Sequence, residues 1–360
     1  MSRSSVVALA IGIVGSAAVV AFALFGSDVM PSYLGAWLVL LALPLGALPL
    51  VMGAELLGLP ETLLMRMLRR LVALMPLAAL LVIPVLLRLD GLYPSLLLPK
   101  QGLPGWWMTP TFFIIRAIVF LVIWTALSFA FAQGSGQDDR RRSFLAVVGL
   151  ALHVVFGTLA ADDWAQQVEP GFNSSAFGLL LMAAQCSIAV CLAVVLTVTG
   201  RPETEASHDL AAGRRDLEST RQVATGLAVL LGTWGFLAFT QFLVAWSSNL
   251  PKEVVWYQHR AGGLGLVAEY SAAILCAIAL VALLARSLSR HAGLLAWVAA
   301  ALLVMHGLEM FWLVTPAFRA SFSATWADVA ALAAAAGLGI GTVLVLDERA
   351  SRGRVGHGAA

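Results

Sequence analysis

Ten runs of about twenty predominantly apolar residues constrain this chain more than any other feature. They are Val6 to Phe25, Tyr33 to Met52, Leu63 to Leu87, Thr111 to Phe131, Phe144 to Ala161, Ala176 to Val198, Val223 to Trp246, Gly263 to Ala285, Ala292 to Val314 and Trp326 to Leu346. A helix of about 20 such residues, rising ~1.5 Å each, crosses the hydrocarbon layer of a bilayer. No water bonds the backbone there, so only helices and closed barrels span it. The expectation is an all-α polytopic membrane protein with ten transmembrane helices. Composition agrees. The 360 residues are 60% hydrophobic and 12% charged, where a soluble domain carries roughly 25% charged residues. The first run follows Arg3. It is longer than the apolar core of a signal peptide, about 7–15 residues, and reads as a retained helix. Pro76 and Pro84 predict a kink in the third.

Arginine placement orients the chain. With the N-terminus inside, sixteen basic residues fall on inside segments, among them Arg66, Arg69, Arg70 and Arg140 to Arg142. Five fall outside: Arg88, Lys100, Lys252, Arg260 and Arg319. Both termini are expected in the cytoplasm. Only two of the 22 basic residues are lysines, in a chain rich in Ala, Leu, Val and Gly, which suggests a GC-rich bacterial genome. Cys186, Cys191 and Cys276 lie in apolar runs, and three thiols cannot supply the four ligands of an iron–sulfur cubane. No bound metal and no covalent cofactor is expected, and no nucleic-acid partner. The partner surface is the lipid bilayer and other membrane subunits.

Ionisable residues inside a membrane are costly and mark functional candidates. Arg116 lies five residues below the outer end of its run, as do Gln241 and Glu309, and Glu269 lies six below. His306 is one turn deeper than Glu309 on the same face, so the two can relay a proton. Asp162 and Asp163 close the outer end of the fifth run, with His153 nearer mid-membrane. Gln185 is near the middle of the sixth run. The inner halves carry mainly Ser, Thr and Trp, so an outward-opening pocket or half-channel is expected. A plainer reading pairs Arg116 with Glu269 or Glu309 as a helix clamp, leaves Asp162 solvated, and makes His153 a core histidine. The plainer reading of Trp246, Trp256 and Tyr257 is an interfacial aromatic belt. As haem ligands His153 and His306 would be offset by roughly 8 Å along their helices, a poor pair.

The most specific stretch is Phe239 to Arg260, FTQFLVAWSSNLPKEVVWYQHR. It resembles F-S-Q-F-L-I-x-W-x-x-N-[LI]-P-E-E-x-x-W-Y-x-x-R, with Gln241, Trp246, Asn249, Pro251, Glu253, Trp256, Tyr257 and Arg260 in register. Asp163 to Gly178, DWAQQVEPGFNSSAFG, resembles D-W-x-M-S-L-[DE]-P-H-W-x-S-x-x-F-G through Asp163, Trp164, Glu169, Pro170, Ser174, Phe177 and Gly178. His208-Asp209-Leu210 matches an H-D-L element, and EMFWLVTPAF around Glu309 is similar to D-x-x-W-L-V-x-P-A-F. These are motifs of the NrfD-like, quinol-interacting membrane subunits of bacterial alternative complex III, and the chain looks most like the second, ActF-type subunit.

That resemblance implies two four-helix bundles, residues 33–164 and 176–314, with the first and tenth helices peripheral. It implies a place in the bacterial inner membrane beside an iron–sulfur protein, a second NrfD-like subunit and a multihaem or monohaem cytochrome c, with a haem–copper oxidase as a further neighbour. Quinone is the ligand it implies. Gly171 and Phe172 replace the motif's His-Trp, Gln166 and Gln167 its Met-Ser, and Lys252 its first Glu.

The expected function is quinol interaction or proton transfer in a quinol:cytochrome c oxidoreductase. Asp163, His153, His306, Glu309 and Glu269 are the proton-transfer candidates. Arg116, Trp164 and Gln241 are the quinone-pocket candidates, and Trp256, Tyr257 and Arg260 are expected to dock a partner. The competing expectation is a catalytically silent scaffold that anchors iron–sulfur and cytochrome subunits. A secondary transporter ranks below both, because Pro76 and Pro84 have no counterpart in the later helices.

Overall fold

The computed structural model describes residues 1–98, 105–134, 140–200, 210–248, 251–286 and 290–357, without the side chains of 210–219, 252 and 353–357. Each of the ten apolar runs is a helix, and no strand occurs among the described residues. The helices are α1 (Arg3–Leu24), α2 (Met30–Leu56), α3 (Leu63–Leu87), α4 (Pro110–Phe131), α5 (Arg140–Gln166), α6 (Phe177–Thr199), α7 (Thr220–Ser248), α8 (Gly265–Leu284), α9 (Ala292–Phe318) and α10 (Trp326–Arg352). All ten are long and apolar enough to cross a membrane. The chain is therefore a multi-pass, all-α membrane protein. A shorter helix, Pro251–Ala261, lies between α7 and α8.

Local sequence explains the helix ends. Thr109 caps α4 by accepting from the Phe112 amide, and Pro110 follows at the first helical position, where a missing N–H costs nothing. Thr62 caps α3 in the same way through the Met65 amide. The predicted kink in α3 is present. The helix breaks into Leu63–Val72, Met75–Leu80 and Ile83–Leu87, with a proline in the first turn of each later piece. The freed Ala78 carbonyl accepts from the Trp37 indole at 2.9 Å, and Leu81 from the Tyr33 hydroxyl at 2.7 Å.

Helices α2, α3, α4 and α5 pack around one another, and α6, α7, α8 and α9 do the same. The seam between these bundles is α2 against α6. Both helices are apolar on all sides and buried along most of their length, as that pattern requires. Their backbones nearly touch where Gly46 faces the Gln185–Cys186 peptide, so a β-carbon at position 46 would collide with main chain. Helices α1 and α10 pair outside the bundles, against α2 and α3.

One end of the molecule, here called distal, carries Asp163 and Arg260; the opposite, basic end carries Arg69 and Arg142. The basic end carries a buried charge cluster of its own. Arg69 is buried and donates to Glu55 at 2.7 Å and to the Phe131 carbonyl at 2.8 Å. Arg142 donates to the same carboxylate at 2.8 Å. Sequence spacing hides this cluster, because Glu55 and Arg142 lie just beyond the apolar runs and meet only when α2, α3 and α5 converge.

Candidate functional site

Three constellations lie at the distal end. In the first bundle, Arg116 of α4 meets Asp163 of α5. Its Nε donates to Oδ2 at 2.8 Å and its Nη2 to Oδ1 at 2.6 Å. The guanidinium sits 4.3 Å from the Trp107 ring centre, and both members of the pair are buried. This corrects the pairing of Arg116 with Glu269 or Glu309, which belong to the other bundle. The last turn of α5 makes the pair possible. Residues Asp162–Gln166 form a π-helical turn, and Asp163 and Trp164 are both buried in it. Asp162 is half-buried and accepts from Gln166 at 2.7 Å, so it is bonded within the fold rather than simply solvated.

Below that pair is an aromatic core. Trp164 packs on Trp37 at 5.0 Å and Trp124 at 6.1 Å, and His153 faces Trp124 at 6.0 Å. The His153 Nδ1 and the Trp164 indole nitrogen are buried without partners. Tyr93 donates to the Trp164 carbonyl at 2.9 Å from a fully buried position. Burial and then the Asp163 charge push its phenol well above the ordinary value. The segment after α3 therefore reaches into the core at Tyr93.

The second constellation joins the two long motifs to each other. Arg260, fully buried, donates to Glu169 Oε2 at 2.6 Å and to the Leu313 carbonyl at 2.6 Å. His259 Nδ1 is 2.7 Å from Glu169 Oε1. The guanidinium lies 3.7 Å over the Trp256 ring, which also stacks on Phe172 at 4.1 Å and 14°. Burial pulls the Arg260 pKa down to about 10 while Glu169 opposes, so the group stays charged at neutral pH.

Expected docking through Trp256 and Arg260 is thus corrected. Both are buried, and their chemistry is spent inside the chain. Tyr257 is half-buried and faces a cavity. Phe172, at the second position of the replaced His-Trp, supplies the stacking surface, and Gly171 before it adopts φ 131°, where a side chain would be strained. Asn249 and the Lys252 side chain lie outside the described residues, as do His208 and Asp209.

The third constellation is the cavity itself, about 510 Å³, between α7, α8, α9 and the Pro251–Ala261 helix. Its volume is in the range of small-molecule sites. Gln241, Tyr257, Glu269 and Glu309 reach it, and most of the remaining wall is apolar. Glu309 is held on both oxygens: the Trp234 indole donates to Oε1 at 2.8 Å, and His306 Nδ1 is 2.8 Å from Oε2. That contact occupies Nδ1 and leaves Nε2 as the ring's other polar atom. That Nε2 is buried and without a partner. Gln241 Oε1 is likewise buried and unpartnered, while its amide nitrogen reaches the Tyr257 oxygen at 3.5 Å. Burial pushes the Tyr257 phenol up to about 12, so it remains a donor at any physiological pH.

The structure therefore gathers Gln241, Glu269, His306 and Glu309, as the sequence suggested, and adds Tyr257 and Trp234. Arg116 and Trp164 do not line this cavity. Trp234 escaped the sequence reading because it sits within an apolar run, where a tryptophan looks like lipid-facing bulk. The fold and site define a multi-pass, all-α membrane protein with a polar-headed cavity in one of two bundles. No protein-family model matches the chain, and no curated protein matches it.

Proposed function

We propose that this chain is a membrane subunit of a bacterial quinol:cytochrome c oxidoreductase of the alternative complex III type, and that quinol meets it in the second bundle's cavity. The observation that carries this reading is the unpartnered, buried Gln241 Oε1 beside a phenol and two carboxylates, in an otherwise apolar chamber. An unsatisfied buried acceptor costs about 1–3 kcal/mol. A ligand hydroxyl that donates to it removes that cost. The Tyr257 O–H can donate to a quinone carbonyl, so both redox forms find partners.

Oxidation of a quinol releases two protons and two electrons. Glu269 and the Glu309–His306 pair are the proposed proton acceptors, with the Trp234 N–H holding Glu309 in place. The electrons are proposed to pass to an iron–sulfur protein or a multihaem or monohaem cytochrome c, with a second NrfD-like subunit and a haem–copper oxidase as further neighbours. The motif resemblance supports those partners. The arginine bias supports an inner-membrane orientation with the basic end and both termini in the cytoplasm.

The first bundle takes the scaffold role in this proposal, because Arg116 pairs with both oxygens of Asp163 and spends its third nitrogen on the Trp107 carbonyl. The test uses the complex purified from native membranes. Glu309→Gln is expected to lower quinol-driven electron transfer about 10²-fold, the scale of a lost general base, with the complex still assembled. Unchanged turnover and proton release would overturn the reading.

A further inference from the structure

The cavity is polar at one end and apolar at the other, and the two ends are far apart. Gln241 and Glu269 mark the polar end on α7 and α8, and the Trp234–Glu309 pair adds a second polar point on the α9 side, seven residues deeper along α7 than Gln241. Along α7 the lining continues to Gly232, nine residues deeper, or roughly 13 Å at 1.5 Å per residue. Along α8 it continues from Glu269 to Leu280, roughly 16 Å in the same direction. Between α7 and α8 the deep wall carries small residues, Gly232 and Gly235 on α7 and Ala273, Cys276 and Ala277 on α8, beside the larger Trp234 and Leu280. Phe236 and Phe239 line the cavity and are also 68% and 61% exposed on the outer surface of the bundle. They flank an opening toward the surface that α7 and α8 present to lipid.

We infer that the small-residue slot between α7 and α8 holds the isoprenoid tail of the quinol, with the ring at Gln241 and the tail running toward the basic end. The inference rests on the quinol reading of the cavity and adds the ligand's orientation and its route. A ring alone needs only the polar end. The mostly apolar α7–α8 side of the remainder fits a flexible chain that gives up lipid for similarly apolar walls. Access is lateral, from the bilayer past Phe236 and Phe239, so the ligand never crosses water. Gly232 and Gly235 become specificity-determining positions, because they keep the slot open.

The glycines also make the test clean. A β-carbon at Gly232 meets nothing within 4 Å, and one at Gly235 meets only Cys276 Sγ at 3.5 Å. Gly232→Leu should therefore fold and project into the slot. Gly226→Leu is the control, since Gly226 is equally open and lies on the same helix outside the cavity lining.

The full chain in nanodiscs is titrated with a decyl-tailed benzoquinone and with the same ring lacking a tail. Quenching of tryptophan fluorescence is the readout, because Trp234 and Trp312 line the cavity. Gly232→Leu is expected to raise the Kd of the tailed quinone at least about tenfold, or ~1.4 kcal/mol, and to leave the tail-less ring within about twofold. Gly226→Leu should change neither. Equal losses for both ligands in Gly232→Leu would place the ring in the slot and overturn the inference. No loss for the tailed ligand would put the tail elsewhere and overturn it while the quinol reading stands. Failure of the unaltered protein to bind either ligand would overturn both.

Discussion

The two bundles are built from the same number of helices and use similar residues to opposite ends. Each has a histidine beside a tryptophan, His153 with Trp124 and His306 with Trp234. Each has a carboxylate at the distal end. In the first bundle the carboxylate is answered by Arg116 in a two-pronged bond, and tryptophan rings fill the space beneath. In the second, Glu309 is answered by an indole and an imidazole, and a chamber of about 510 Å³ remains beside it. The difference teaches that an ionisable residue in a membrane is not by itself a site. What separates a clamp from a site is whether the charge is fully matched and whether space is left next to it.

The comparison can be broken most forcefully at Asp163. Asp163→Ala leaves Arg116 buried and uncompensated, and loss of one member of such a pair costs about 3–5 kcal/mol. Thermal unfolding in detergent should show a large drop. A variant that folds normally but loses quinol turnover would move the site into the first bundle. At Glu309 the opposite pattern is expected: a large loss of turnover, as given above, with stability changed by less than about 1 kcal/mol. Trp234→Phe keeps the ring and deletes one hydrogen bond to Glu309. It should lower turnover roughly fivefold to tenfold, on the scale of one net hydrogen bond of about 1–1.5 kcal/mol, and shift the pH profile of turnover.

Smaller effects sharpen the same contrast. Phe172→Leu removes the stack on Trp256, worth about 0.5–1.5 kcal/mol beyond buried area, and should lower the unfolding midpoint without altering quinone affinity. Tyr257→Phe should weaken quinone binding a few-fold. The phenol is held near 12 by burial, above its ordinary value of about 10. A raised acid stays protonated below that value, so the advantage of Tyr257 over Phe should be constant from about pH 6 to pH 10. Loss of the advantage near neutral pH would mean that the hydroxyl titrates there and does not act as a fixed donor.

Much of the fold was legible because the bilayer admits so few solutions. Apolar run length located ten helices, and Pro76 and Pro84 located the breaks in α3. Counting depth along each helix placed Gln241, Glu269 and Glu309 on one level, and they do share a cavity. Partner choice was not legible. Depth alone made Glu269 or Glu309 as good a match for Arg116 as Asp163, and the packing of α4 against α5, where Asp163 sits buried in a π-helical turn, decides it. Arg260 and Trp256 looked like surface because they follow an interfacial helix, yet a long-range pair with Glu169, ninety-one positions away, buries them. The cavity was invisible for a further reason. Gly232, Gly235 and Ala273 read as ordinary small residues of membrane helices, and nothing in a sequence says whether the space beside a glycine is filled.

The most direct measurement is photolabelling of the purified complex with an azido-quinone, followed by mapping of the labelled peptides. The account predicts label on the α7 and α8 stretches that contain Gln241 and Glu269, and protection by excess tailed quinol. Protectable label at Arg116 or Trp164 instead, with none on α7 or α8, would contradict it.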